Sequence, residues 1–228
     1  MTPHSAQGDP ARASAFEPGV PDWLRPLVEV ARSVTGEQLS RFLPPDEGGR
    51  QSAVLVLFGP GDSDAGPDLL LIQRASTVSS HAGQPAFPGG AVDDSDADVV
   101  AAALREAEEE TGLDPSGVDV VATLPALWLP PSGFVVTPVI GWWREPSPVG
   151  VVDPGEVERV VRVPISELLD PANRCCVSHP SGFVGPAFAV RDLLVWGFTA
   201  GLLSRLFALC GWEQPWDDTV LRPLPDTW

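Results

Sequence analysis

The sequence predicts a single α/β or α+β domain built on a mixed β-sheet, and three features predict it. Compact β-type runs recur from residue 52 to residue 163. A strongly helical acidic stretch and a long apolar one fall among and after them. The strands surround the helices without regular strand–helix alternation, which suggests a mixed sheet. At 228 residues the chain is long enough to bury most of its apolar surface without disulfide or metal staples. Its 43% apolar and 20% charged residues exclude disorder of the whole chain.

Residues 1–20 are polar and Pro/Gly-containing and read as a flexible tail, with no apolar core that would make a signal peptide. Residues 22–34 place Leu24, Leu27, Val28 and Ala31 at helical spacing. Residues 52–58 (SAVLVLF) and 68–73 (DLLLIQ) are strand-like, and the Gly-, Pro-, Asp- and Ser-rich segment 59–67 is suited to close a hairpin between them. Periodicity is lost over 75–90, which ends in Phe87-Pro88-Gly89-Gly90. A helix is expected over 97–111, stopped by Gly112. Strands are expected over 118–124, 134–143 and 157–163, a short helix over 165–169 and a long buried helix over 192–210. That last stretch is broken by Gly197, Gly201 and Arg205 and is too short to span a bilayer. Residues 211–228 carry three prolines and read as an appended tail, leaving 21–210 as one domain.

All fourteen basic residues are arginine, against thirty-one acidic ones, giving −17 at pH 7. That balance argues against a nucleic-acid partner, which requires a cationic face. A polyanionic small molecule is admissible only if divalent cations lie between it and the protein. Cys175, Cys176 and Cys210 form no even disulfide framework and read as free thiols in a reducing cytoplasm. Cys175, Cys176 and His179 are too crowded for the usual zinc spacing.

The helix 97–111 carries the chemical signal. Wound at about 100° per residue, Val100, Ala103, Leu104, Ala107 and Thr111 form a narrow stripe expected to face the core. Glu106, Glu109 and Glu110 group on a different flank, because spacings of three and four put them on neighbouring turns. Arg105, one turn before Glu109, cannot balance three acids. The patch is either a solvated acidic face or a set of hard oxygen ligands for Mg²⁺ or Mn²⁺.

The segment from Gly90 through Asp96 to Arg105-Glu-Ala-Glu-Glu-Glu-Thr-Gly-Leu113 resembles the Nudix box, GX5EX7REUXEEXGU with U aliphatic. Residues 105–113 match every fixed position; Asp96 replaces the first glutamate and one extra residue precedes Arg105. Leu70-Leu-Ile-Gln-Arg74-Ala75, then Gly83, then Phe87-Pro-Gly-Gly90 is similar to the signature of the coenzyme A pyrophosphatase branch, with Ser79 where that signature has arginine and Ile72 where it has threonine. Residues 133–139 and 195–200 resemble its later sheet and C-terminal helix.

The resemblance implies a Nudix-type α/β/α sandwich that hydrolyses the diphosphate of coenzyme A or acyl-CoA, to 3′,5′-ADP and (acyl-)4′-phosphopantetheine. Another nucleoside diphosphate derivative (ADP-ribose, a dinucleotide, an oxidised nucleotide) is the alternative substrate, and a non-catalytic nucleotide-binding domain is a third reading. It implies Mg²⁺ or Mn²⁺ on Glu106, Glu109, Glu110 and the Gly90 carbonyl, with Arg105 orienting the glutamates. Asp96 stands near the helix N-terminus as a structural carboxylate or cap. Glu156 is the preferred general base, with Glu158 and His81 as rivals. Arg74, His81, Gly83, Phe87 and Gly89 are expected around the substrate. A small molecule is the expected partner, neither nucleic acid nor membrane is, and a homodimer is admitted.

Overall fold

The computed structural model describes residues 19–61, 66–77, 82–130, 132–179, 182 and 184–224. Its centre is β1 (Arg50–Gly59), buried from Ser52 onward except for the partly covered Val54. β1 runs parallel to β7 (Phe134–Trp143) from Arg50↔Phe134 to Phe58↔Trp142. It runs antiparallel to β2 (Asp68–Arg74) at Phe58↔Leu69, the hairpin expected across 59–67. Where β2 diverges, β4 (Gly89–Ala91) takes its place against the first half of β1. β3 (Pro85–Ala86) and β8 (Val157–Pro164) pair with β2, and β5 (Val118–Thr123) and β6 (Leu127–Leu129) with β7. The one parallel pair among antiparallel ones makes the sheet mixed.

Strand alternation sends side chains to two cores. Ala53, Leu55 and Leu57 face Ala102, Ala103 and Ala107 of α3 (Val99–Thr111). Val56 and Phe58 face the opposite layer, with Leu24, Leu27 and Val28 of the N-terminal helical segment and Leu202, Leu203, Leu206 and Phe207. That layer contains α1 (Arg25–Ser33), α2 (Gly36–Leu39) and α5 (Gly197–Leu209). It also includes a second sheet, β11–β10–β9–β12, of β9 (Arg174–Ser178), β10 (Val184–Val190), β11 (Leu193–Val195) and β12 (Leu221–Pro223). α4 (Ile165–Leu169) follows β8 as expected. The result is an α/β/α sandwich.

Two expectations change. The apolar stretch 192–210 is a strand followed by a helix. Arg191 and Asp192 take positive φ (52° and 61°) and close a two-residue turn from β10 into β11. Gly197, at φ +64°, then redirects the chain into α5. Residues 211–224 pack onto the domain: Trp212 contacts the rings of Trp23, Phe58 and Phe207, and β12 adds parallel to β9. The Arg174 guanidinium, with 2% of its side chain exposed, lies between the rings of Phe188 (4.5 Å) and Trp216 (4.4 Å) and pairs with Glu213. Tryptophan anchors outweigh the prolines that mark this segment as a tail. Among the described residues, no helix is long and apolar enough to cross a membrane.

Candidate active site

α3 starts where Asp98 accepts hydrogen bonds from the Val100 and Ala101 amides (2.9 and 2.8 Å) and stops at Gly112, φ +70°. Asp98 is therefore the cap, and Asp96 has a different task. The buried face comprises Ala102, Ala103, Ala107, Glu110 and Thr111, with Val100 and Leu104 at its margin. The helix is rotated from the expected stripe toward its acids because alanines let it approach β1 closely. The three glutamates consequently differ: Glu110 has 6% of its side chain exposed, Glu106 18% and Glu109 58%.

β4 faces this helix and its backbone divides the work. Leu55 N–H donates to the Pro88 carbonyl and Val92 N–H to the Gln51 carbonyl. Alternation in an antiparallel ladder makes Ala53–Gly90 the hydrogen-bonded pair between them. The Gly90 carbonyl thus points at β1, and it also accepts from Ser52 Oγ (2.6 Å). Gly89 and Ala91 turn their polar groups the other way, toward α3. The Gly89 amide donates to Glu110 Oε2 (2.9 Å) and the Ala91 carbonyl accepts from Arg105 Nη2 (3.1 Å). The backbone excludes a side chain at Gly89 and the site excludes one at Gly90: a methyl group on Gly89 (φ +155°) would strike the Ala53 carbonyl, and one on Gly90 would overlap the Glu106 carboxylate. The expectation that the Gly90 carbonyl is a metal ligand is corrected here, since that oxygen is committed to β1. The outward carbonyl on this strand, beside Glu110, is that of Gly89.

Arg105 grips Asp96 with a two-pronged bond, Nε to Oδ1 and Nη2 to Oδ2, both 3.0 Å. Its Nη1 donates to Glu109 (2.8 Å) and Glu106 (3.2 Å). The bond from Arg105 holds the Asp96 carboxyl below its usual range. Burial pushes Glu106 up. Burial also pushes Glu110 up to about 7, against the opposing Gly89 amide and the Arg74 charge, with Glu106 and Glu156 adding like-charge repulsion.

Arg74, at the end of β2, places Nη1 3.7 Å from Glu110. Gly83, at φ +71°, returns the loop to β2: its amide donates to the Arg74 carbonyl (3.1 Å) and its carbonyl accepts from Gln73 Nε2 (3.3 Å). Gly83 is thus a loop-closing residue. Phe87, 2% exposed, belongs to the hydrophobic core, which corrects the expectation that its ring meets substrate. His81 and Ser79 lie outside the described residues. Glu156 is exposed, in a turn held by Asp153, and its carbonyl accepts from the Ala75 amide (2.8 Å). That bond ties the turn to the residue after Arg74, so Glu156 stands on the Arg74 side of Glu110.

The NUDIX domain description matches residues 49–175. The chain belongs to the Nudix family. A protein of Cronobacter sakazakii named "Uncharacterized Nudix hydrolase NudL" is 42% identical over 173 residues, covering 73% of this chain and 85% of the relative. A protein of the same name from Citrobacter koseri is 40% identical over 192 residues, covering 81% and 91%. The crystal structure of a Nudix hydrolase from M. smegmatis, RenU, is similar over 75% of this chain and 95% of its own, with 22% identity and a TM-score of 0.47.

The protein is accordingly a Nudix hydrolase acting on pyrophosphate bonds, from a family that generally uses divalent metal ions. Its Nudix helix fits such an ion in chemistry: Glu106 and Glu110 and the Gly89 carbonyl are hard oxygen donors, with Glu110 buried and Glu106 partly so, Arg74 standing 3.7 Å from the first and Arg105 3.2 Å from the second. Glu109 is drawn aside by Arg105, and no cluster of three acidic, histidine or cysteine side chains stands ready for a metal among the described residues. The sequence reading missed Ser52, the Asp96–Arg105 fork and the outward Gly89 carbonyl. The period-two alternation of β1 and β4 is the signal that would have found the last.

Proposed function

We propose that this Nudix hydrolase cleaves the diphosphate of coenzyme A or acyl-CoA to 3′,5′-ADP and (acyl-)4′-phosphopantetheine. The observation that carries the reading is the 3.7 Å approach of Arg74 to Glu110. It joins the segment similar to the coenzyme A pyrophosphatase signature to the acidic helix, so that one surface serves both the diphosphate and the organic group beyond it.

Glu106, Glu110 and the Gly89 carbonyl would hold Mg²⁺ or Mn²⁺, with Glu109 joining when Arg105 releases it. The ion would neutralise the diphosphate, which the −17 chain otherwise repels, and acidify water. Arg105, fixed by Asp96, sets where Glu106 and Glu109 point and so acts as a positioning residue. Arg74 takes a diphosphate oxygen. Glu156 accepts the proton of the attacking water as its oxygen bonds to one phosphorus. The bond from that phosphorus to the bridging oxygen breaks, and the bridging oxygen leaves on the other phosphate. A homodimer is the assembly proposed with this activity.

Ser79, in place of the signature arginine, favours a second reading in which the 3′-phosphate is not recognised and ADP-ribose or a dinucleotide is cleaved instead. Incubation with CoA, dephospho-CoA, ADP-ribose and NADH in Mg²⁺ or Mn²⁺, with products identified by mass spectrometry, separates the two. Preference for CoA supports the first reading; equal cleavage of CoA and dephospho-CoA removes 3′-phosphate recognition, and preference for ADP-ribose replaces the substrate.

A further inference from the structure

Among the described residues, β8 pairs with another strand on one side. Its partner is β2, and among the described residues no strand pairs with its other edge. That edge opens onto a cavity of about 560 Å³, flanked by Gly150 and Val151 on one side and the Arg191–Asp192 turn on the other. The direction of the backbone follows from the register. Ile165 N–H donates to the Pro67 carbonyl (2.8 Å), so alternation turns residues 163, 161 and 159 toward β2. The N–H and C=O of Val160 and Arg162 point the other way, into the cavity. Exposed edges of this kind are templates for another strand.

From this edge we infer that the protein self-associates, two copies pairing β8 antiparallel about a two-fold axis at Val160. Charge selects the occupant. A polyanion is disfavoured because Glu158 and Asp192 line the cavity and Arg191 pairs with Glu167; Arg162 is held to Asp68 through Nε and keeps 28% of its side chain exposed. Glu158 and Arg162 lie two residues on either side of Val160. An antiparallel copy centred there brings Glu158 opposite Arg162 of its mate twice, and lets the two Val160 backbones exchange both hydrogen bonds. Shifting the centre by one half-step puts Arg159 opposite Arg162, a like-charge contact. Among the registers that close backbone bonds, the one centred on Val160 is the one that pairs Glu158 with Arg162, and its two-fold repeats the pair as an isologous interface requires. Val151 and Val152, 39% and 56% exposed, supply apolar rim.

Sedimentation velocity on the full chain tests this. The wild type is expected to be a dimer at tens of micromolar, weakening as salt screens the charge pairs. Glu158→Arg, an exposed substitution that turns both pairs repulsive, should weaken association about tenfold. Val160→Pro removes an N–H that β2 does not use and should yield a folded monomer. As a check independent of that variant's folding, Val160→Cys should oxidise to a linked dimer far faster than Val161→Cys. A wild-type monomer at about 100 µM overturns the proposal. So does a dimer that Glu158→Arg and Val160→Pro leave at full strength, or equal cross-linking at 160 and 161.

Discussion

Glu110→Gln should stabilise the metal-free protein, and by an amount that depends on pH. Glu110 is 5% exposed and its carboxyl is pushed up to about 7 from 4.5. A carboxylate whose pKa rises on folding favours the fold while protonated. Its contribution is complete below its unfolded value and is lost as pH climbs through the folded one. The difference of about 2.5 units, at about 1.4 kcal/mol each, puts roughly 3 kcal/mol at stake. Glutamine keeps the volume and an oxygen for the Gly89 amide but carries no charge to desolvate. In EDTA, the variant should match the wild type near pH 4.5 and gain on it up to pH 7. Above that the gap should be constant, at roughly 6–12 °C in melting temperature for a chain of this size. Calorimetric melts at half-unit pH steps measure it. Saturating Mg²⁺ or Mn²⁺ should raise the wild type more than the variant. A gap of equal size at all pH values, or none, would refute the claim that desolvation of this charge is what burial costs here.

Glu109→Gln should abolish turnover while shifting the melting temperature little, because its exposed pair with Arg105 is worth at most about 1 kcal/mol and Arg105 keeps its fork on Asp96; a variant with near-normal turnover removes Glu109 from the mechanism. Gly90→Ala should leave the fold intact, since the added methyl meets only the end of the Glu106 side chain, yet lower kcat at least about tenfold by displacing that carboxylate. Normal activity would show that Glu106 need not lie against Gly90. Asp96→Asn should free Arg105 and lower kcat, and it should abolish the part of acid lability that comes from a carboxyl held below its usual range: stability present above that range and lost as pH falls through the folded value. Unchanged kcat and an unchanged acid limb of the stability profile would count against the fork.

Much of the frame was legible because its signals are local. The runs at 52–58, 134–143 and 157–163 lie within β1, β7 and β8 almost residue for residue, since buried strands are dense in β-branched and apolar residues. What could not be read was set by tertiary contact. The turn at Arg191 and Asp192 uses positive φ on residues that do not advertise it, and the second sheet forms from short segments whose pairing partners are distant. The C-terminal segment is fastened by Trp212 to the rings of Trp23 and Phe58 and by Trp216 to the Arg174 guanidinium, all far away in sequence.

The site divides in the same way, and the division explains its chemistry. Helical spacing places Glu106, Glu109 and Glu110 on neighbouring turns, but it assigns them equal standing. The environment makes them unequal: α3 rolls onto its alanines, which buries Glu110, while Arg105 holds Glu109 at the surface. A buried carboxyl pushed up to about 7 is easily neutralised by a proton and, equally, by a metal ion, whereas one in a surface ion pair is already satisfied. The structure therefore orders the acids by how much each gains from a divalent cation, with Glu110 first, Glu106 next and Glu109 last. If that order is right, the apparent metal affinity should fall more for Glu110→Gln than for Glu109→Gln even where both abolish turnover, a difference that manganese titration followed by electron paramagnetic resonance reads without any substrate present.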